Sequence, residues 1–168
     1  GVLYVEESRS AYHIQRYNSA GDNLGQAIFP EGVNYYRGAL SSDNENGYLI
    51  VHDYYGDRGL HIYDPDPDGN LTHVAAIPEL TNLIGTNFNS FEWVPQHPFG
   101  ELWVYYGNRV FQVDIDTDSW ETIGITQIID VANGDSYYSF IGDDTENMWV
   151  YRQYDNENNV YILDDGVT

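Results

Sequence analysis

The sequence predicts an all-β protein made of short antiparallel strands. Apolar and aromatic residues occur in short runs, many of them alternating with polar residues, and Gly, Asn, Asp or Pro bounds each run. Such runs are typical of strands, whereas helical periodicity with capping residues is missing. The runs also recur at a regular distance, so an internal repeat is the strongest signal in the chain.

Four kinds of run follow one another in a fixed order. The first occurs at 35–42, 90–96 and 137–143, the second at 3–5, 48–51, 102–104 and 148–150, the third at 11–17, 59–64, 109–114 and 159–164, and the fourth at 24–30, 71–78 and 120–126. Equivalent positions of the third run, which are Tyr17, Tyr63, Val113 and Leu163, lie 46, 50 and 50 residues apart. A complete repeat therefore contains four predicted strands.

Four strands in 46 to 50 residues is the spacing of a β-propeller blade. A single blade cannot bury both faces of its small sheet, so blades stack around an axis. The sequence thus predicts a β-propeller-like fold in a single domain, 1–168, with repeats at about 1–34, 35–80, 90–130 and 137–168. A β-sandwich is the alternative and ranks second, because its strands would not need a repeating register of four.

Several segments resemble known propeller repeats. "ALSSDNENGYLIVHD" (39–53) followed by "GLHIYDPDPDGNLTHVAAIP" (59–78) looks like the repeat of YVTN- and NHL-type propellers. "RVFQVDIDTDSWETIG" (109–124) is similar to the second half of a kelch repeat, although the kelch double glycine is absent and "WVYYG" (103–107) stands near its place. The resemblance covers nearly the whole chain. Because it is generic to propellers, it implies a fold and no catalytic residues.

The first and last repeats are incomplete. The chain opens with the second strand of a repeat and closes with the third, which gives a predicted order of 3, 4, 4 and 3 strands. In the propellers that the chain resembles, the first run is the innermost strand. Open strand edges invite pairing. We therefore expect either a piece of a larger propeller or self-association of neighbouring copies through strand edges, unless the registration slips at the ends.

The charge of the chain excludes some classes of partner. There are 27 acidic residues against six basic ones, all of them arginine, and the net charge is -21. An acidic, lysine-free surface repels phosphates, so nucleic-acid binding is not expected. No apolar run approaches the length of a membrane span, so no membrane insertion is expected. Cysteine is absent, and the N-terminal residues do not resemble a signal peptide. The surface suits a secreted or cell-surface protein, including one from a marine or high-salt environment.

The predicted loops at one end of the strands carry a mixture of Tyr, Asp, Asn and Arg. These loops lie at 53–59, 105–109 and 152–159, next to the longer segment 78–90. Aromatic rings stack on sugars or peptides while amides and guanidinium groups make oriented hydrogen bonds. The candidate ligand-binding residues are Tyr54, Tyr55, Arg58, Tyr105, Tyr106, Arg109 and Tyr154.

The stretch "YDPDPDGNLT" (63–72) begins as a calcium loop does. Asp64, Asp66 and Asp68 alternate before Gly69, and Asn70 follows. Equally polar stretches occupy the same place in the other repeats, so a turn between the third and fourth strands explains the pattern better. These three aspartates and the asparagine remain a candidate for a weakly bound calcium ion, which is the one cofactor the sequence suggests.

Two histidines form a second, weak metal candidate. If the hairpin "HDYYGDRGLH" (52–61) is centred between Gly56 and Asp57, His52 lies directly opposite His61. Cross-strand neighbours are close enough for two imidazoles to share a transition metal. A register shift of one residue would separate them.

The sequence contains no HExxH, GxSxG, GxGxxG or phosphate-loop motif. We therefore expect a non-enzymatic secreted or cell-surface interaction module that binds a glycan or protein partner through its loops. One alternative is a structural subunit or spacer that assembles through open strand edges. Another is an enzyme that acts on polysaccharide, for which a pair of suitably spaced carboxylates would be required.

Overall fold

A computed structural model describes most of the chain. Its described residues are 1–7, 13–33, 39–53, 59–77, 80–84, 90–95, 97–106 and 109–130, together with the backbone of 137–142, 148–154 and 157–163. They form fourteen β-strands and one short helix, which confirms the all-β class. Within these ranges, no helix is long and apolar enough to cross a membrane.

The strands form four antiparallel sheets, and the order within each sheet follows the chain. The first sheet contains β1 (Val2–Glu7), β2 (His13–Asn18) and β3 (Asn23–Gln26). The second contains β4 (Leu40–Asp43), β5 (Tyr48–His52), β6 (Leu60–Pro65) and β7 (Leu71–Ile77). The third contains β8 (Ser90–Trp93), β9 (Leu102–Tyr106), β10 (Arg109–Asp116) and β11 (Glu121–Asp130). The fourth contains β12 (Tyr137–Gly142), β13 (Met148–Tyr154) and β14 (Glu157–Leu163).

The grouping of the strands into sets of three, four, four and three agrees with the repeat read from the sequence. A departure within the described residues is the helix α1 (Leu80–Ile84), which lies in a segment that we expected to be loop. Leu80 is fully buried and Ile84 nearly so, and both belong to the core cluster between the second and third sheets. Their spacing of four residues places them on one side of a helical turn, but five residues are too few to show periodicity in a sequence.

A β-bulge recurs at the same place in three sheets. The register between the third and fourth strands of the repeat shifts immediately before Tyr17, Tyr63 and Val113. These are the equivalent positions of the sequence repeat, and in each case the fourth strand supplies the extra residue. A bulge bends its strand and redirects the side chains beyond it. The repeat therefore extends to backbone detail as well as to strand order.

The second sheet is buried on both faces. One face contributes Ile50, Leu60 and Ile62 to a core shared with α1 and the third sheet. The other face contributes Leu49 and Tyr63 to a smaller core shared with the first sheet. Because successive residues of a strand point to opposite faces, this packing explains why residues 48–51 of β5 are all apolar or aromatic. The second sheet thus lies between the first and the third.

The first strands of the second, third and fourth sheets lie next to one another. β4 approaches β8, and β8 in turn approaches the backbone of β12. Side-chain hydrogen bonds connect β4 to β8, since the Ser41 hydroxyl accepts a bond from the Trp93 amide at 3.0 Å and donates one to the Glu92 carboxylate at 3.0 Å. The sheets therefore approach one another along their first strands as well as face to face.

Candidate functional site

A groove of about 770 Å³ opens between the first and second sheets. Its walls are the start of β1, β4 with the turn after it, the β6–β7 turn and the Glu92 side chain. The volume is in the range of ligand-binding clefts in general. We call this feature the β1 groove.

The β1 groove runs along an open strand edge. β1 pairs with β2 on one side, and no other described strand pairs with its second side. In the second sheet the equivalent strand, β5, is covered on that side by β4. A strand added to β1 would therefore lie beside β4, just as β4 lies beside β8. Such an edge presents unpaired backbone N–H and C=O groups to any extended segment.

The side chains of β1 add apolar surface to this edge. Val2, Leu3 and Val5 are 45%, 61% and 37% exposed. Val2 and Leu3 line the groove together with Tyr4. Burial raises the pKa of the Tyr4 hydroxyl, an effect that the nearby Arg16 charge partly offsets. An unpaired strand edge with neighbouring apolar side chains is a typical interaction surface.

Glu92 supplies a perturbed carboxyl group to the groove. Burial raises its pKa from 4.5 to about 7, while the hydrogen bond from the Ser41 hydroxyl acts in the opposite direction. The Glu92 side chain is therefore partly protonated at neutral pH. Its charge depends on pH in the range where most carboxylates stay ionised.

The free energy of unfolding should depend on the protonation of Glu92. The folded protein holds a proton on Glu92 more tightly than the unfolded chain does. The stabilisation that comes from the protonated side chain is therefore complete below about pH 4.5 and is lost as the pH rises through about 7. We expect Glu92→Gln to remove this loss, because glutamine is neutral at every pH and keeps an acceptor for Ser41. Urea unfolding of both proteins from pH 4 to 8 tests this. An equal slope of unfolding free energy against pH between 4.5 and 7 would contradict it.

The stretch 63–72 forms the tight turn between β6 and β7, as predicted. The Asp66 carboxylate accepts hydrogen bonds from the Gly69 and Asn70 amides at 2.7 and 2.8 Å and from the Asn70 side chain at 2.7 Å. The Asn70 side chain and these amides lower the pKa of Asp66. Asx chemistry of this kind is a general feature of turns. Both Asp66 oxygens are thus engaged by donors of the turn itself.

The calcium hypothesis fits this geometry poorly. Asp64, Asp66 and Asp68 are exposed, and in the described part of the chain no three His, Cys, Asp or Glu side chains converge as metal ligands. The carbonyl groups of Pro67 and Asp68, which could otherwise face a cation, accept hydrogen bonds from the Arg16 guanidinium at 3.2 and 2.7 Å. The cation at this turn is therefore an arginine of the neighbouring sheet.

Arg16 is a structural residue that the sequence analysis missed. It is 5% exposed, and besides the two turn carbonyls it donates to the Leu24 carbonyl at 3.0 Å. Nearby, the Ile28 amide donates to the Gly69 carbonyl and the Leu71 amide donates to the Ile28 carbonyl, each at 2.8 Å. These bonds fix the β6–β7 turn against the first sheet. The turn therefore forms a rigid wall of the β1 groove.

The predicted pairing of His52 with His61 is wrong by one residue. His52 pairs with Leu60, and His61 pairs with Val51. Directly opposed residues share a face, so the two histidines lie on opposite faces of the sheet. The physical reason is the register of the hairpin, in which the Asp53 amide donates to the Gly59 carbonyl and Leu60, not His61, lies opposite His52. His52 is 1% exposed and lies on the face of the sheet that carries Leu60, towards the third sheet.

The predicted loop-face residues are only partly described. Tyr54, Tyr55 and Arg58 lie outside the described residues, and of Tyr154 only the backbone, at the end of β13, is described. Tyr105 is 1% exposed, so its expected role in ligand binding is corrected to a role in the core. Tyr106 is 39% exposed. The Arg109 guanidinium makes an exposed ion pair with Asp130 at 2.9 Å. Tyr106 and Arg109 pair across the end of the β9–β10 hairpin.

Comparison with known proteins adds no identity to these observations. No protein-family model matches the sequence, and no curated protein is significantly similar to it. The function must therefore be inferred from the fold and from the β1 groove.

Proposed function

We propose that this chain is a non-enzymatic interaction module with a β-propeller-like architecture. It binds an extended polypeptide segment, which adds to the first sheet as a strand along β1. The open edge of β1 within the β1 groove carries this proposal. Strand addition is a common mode of peptide recognition, in which main-chain hydrogen bonds give affinity and side-chain pockets give specificity.

The packing of the sheets supports the propeller-like part of the proposal. The second sheet has a separate core on each face, as stacked blades require, whereas two sheets of a sandwich share one core. The first strands of the repeats, β4, β8 and β12, lie side by side, as strands nearest a central axis do. In this arrangement the β1 groove occupies the position beside β1 that β4 occupies beside β5 in the second sheet.

The chemistry of the groove favours a basic segment. Its walls include the carboxyl groups of Asp43, Asp66 and Glu92, and none of its described lining residues is Arg or Lys. The whole chain carries a charge of -21, so a second copy would be repelled over a distance set by the ionic strength. We therefore assign the groove to a partner segment that alternates apolar residues with Arg or Lys. An acidic, lysine-free exterior supports a secreted or cell-surface setting.

The same carboxyl groups support a binding role over a hydrolytic one. A glycosidase needs two available carboxyl groups on either side of the substrate. The Asp43 carboxylate accepts hydrogen bonds from the Glu45 and Asn46 amides and from the Asn46 side chain. Asp66 is engaged in its own turn in the same way. Glu92 is then the one carboxyl group among these three that the adjoining turn does not bind.

Peptide binding tests the proposal. The probe is an array of eight-residue peptides that alternate Val or Thr with Arg, and a matched array with Glu in place of Arg. We expect the Arg series to bind, with an affinity that falls as salt rises. Leu3→Arg places a positive charge in the groove and should weaken binding about tenfold or more through charge repulsion.

The matched control is Leu24→Arg. Leu24 is 40% exposed on β3, at the opposite edge of the same sheet, so its replacement adds the same charge outside the groove. This variant should bind as the original chain does. The proposal is wrong if no Arg-series peptide binds, or if the two variants lose affinity equally. Binding lost in Tyr106→Ala instead would assign recognition to the loop face.

A further inference from the structure

The third and fourth strands of the second sheet bring two histidines together. His61 on β6 and His73 on β7 face each other with 3.4 Å between the Nδ1 atom of His61 and the Nε2 atom of His73. The pair lies on the face of the second sheet that carries Tyr63, on the two strands farthest from β4, and neither histidine lines the β1 groove. Neither the peptide-binding proposal nor the turn chemistry uses this pair.

The β-bulge of the second sheet creates the pair. Ile62 pairs with Ala75, but Tyr63 pairs with His73, so Val74 is the extra residue of β7. With a regular ladder, Tyr63 would oppose Val74 and His73 would point to the other face. The bulge turns His73 to the face of His61 and Tyr63. Redirection of a side chain is a frequent use of bulges at binding sites.

The Tyr63 ring and a cavity lie next to the two imidazoles. The Tyr63 ring is stacked with His61 at 6.4 Å between centroids and lies edge-on to His73 at 5.4 Å. A cavity of about 360 Å³ opens beside them, lined also by Phe29, Val51 and Asp53. The pair is thus oriented by an aromatic ring and has open space and a carboxylate next to it.

We propose that His61 and His73 bind a divalent transition-metal ion, of the class of Zn²⁺, Ni²⁺ or Cu²⁺. Two nitrogen ligands at about 2.0–2.1 Å from a tetrahedral ion lie about 3.3–3.4 Å apart. The observed separation of 3.4 Å is the one that such an ion requires. Imidazole prefers these ions to Ca²⁺ or Mg²⁺. The remaining coordination positions face the cavity, and the Asp53 carboxylate and the overall charge of -21 favour a cation there.

Calorimetric titration with ZnCl₂ tests the site on the whole chain, in about 0.5 M NaCl so that weak attraction to surface carboxylates is screened. We expect one ion per chain at pH 7.5 and weaker binding in acid, because protons compete with metal ions for imidazole nitrogens in general. His61→Ala and His73→Ala should each weaken binding about tenfold or more, since each removes one of two ligands. Excess CaCl₂ should not compete.

His13→Ala is the matched control. His13 is partly exposed on β2 of the first sheet. Its replacement therefore removes one accessible imidazole and leaves His61 and His73 unchanged. Unchanged zinc affinity in this variant, with reduced affinity in the other two, supports the site. Absence of zinc binding by the original chain would overturn the proposal. So would an unchanged affinity in either His61→Ala or His73→Ala, with folding verified by circular dichroism.

Discussion

Replacement of Gly100 by Ala is expected to lower the free energy of unfolding by roughly 2–6 kcal/mol, from backbone strain and overpacking together. Gly100 has a φ of 112°, a conformation that side-chain-bearing residues rarely adopt. An added Cβ would lie 2.6 Å from the Val113 carbonyl oxygen and 2.7 Å from the Asp114 amide nitrogen. Both contacts are with β10 backbone in the middle of the third sheet, which cannot move aside easily.

Gly47→Ala separates these two causes. Gly47 also has a positive φ, of 81°, but an added Cβ would meet no atom within 4 Å. This variant should therefore show the conformational cost alone, about 1–2 kcal/mol. Urea unfolding followed by tryptophan fluorescence measures both variants. If Gly100→Ala is no more destabilising than Gly47→Ala, the close approach of β10 to Gly100 is wrong.

Ile62→Ala should lower the free energy of unfolding by about 2–5 kcal/mol, as is usual when a large core side chain is truncated. Ile62 is fully buried on the face of β6 that packs towards the third sheet, in the same cluster as Leu102 and Trp93. Alanine would leave a cavity between two sheets. Because rigid strands on both sides limit collapse, we expect the upper part of that range.

The matched control is Ile123→Ala, which removes the same atoms from an exposed position. Ile123 lies on β11 and is 66% exposed. Its replacement should change the free energy of unfolding by about 0.5 kcal/mol or less. Equal losses in the two variants, measured by urea unfolding, would contradict the packing of the second sheet against the third.

The strands were predictable because each carries its own local signal. Val51 and Leu102 lie in apolar runs bounded by turn residues, and the repeat fixes their order. The β6–β7 turn was equally readable, since Asp66 and Gly69 satisfy it locally. What the sequence could not show is which face of a strand is covered. Tyr105 begins a polar segment that we read as a loop, yet β9 is buried on both faces from Leu102 to Tyr105.

The errors in the predicted site concern features that no local sequence pattern reveals. The position of Arg16 depends on a turn 51 residues away in the sequence, and no local sequence pattern predicts such a contact. The predicted histidine pairing was wrong because it depends on the register of a hairpin, and a shift of one residue moves every side chain of a strand to the opposite face. The pair formed by His61 and His73 depends on a bulge, which the propensities of the strand do not reveal. The β1 groove arises from the placement of two sheets, so only the fold could show it.

Amide hydrogen exchange of β1, with and without the tightest Arg-series peptide, tests strand addition most directly. If the peptide pairs with the open edge, every second amide of Val2–Glu7 becomes protected, because alternate N–H groups of an antiparallel strand point to one side. The amides directed towards β2 should change little. Protection confined to the β9–β10 hairpin around Tyr106, with no change in β1, would contradict the account.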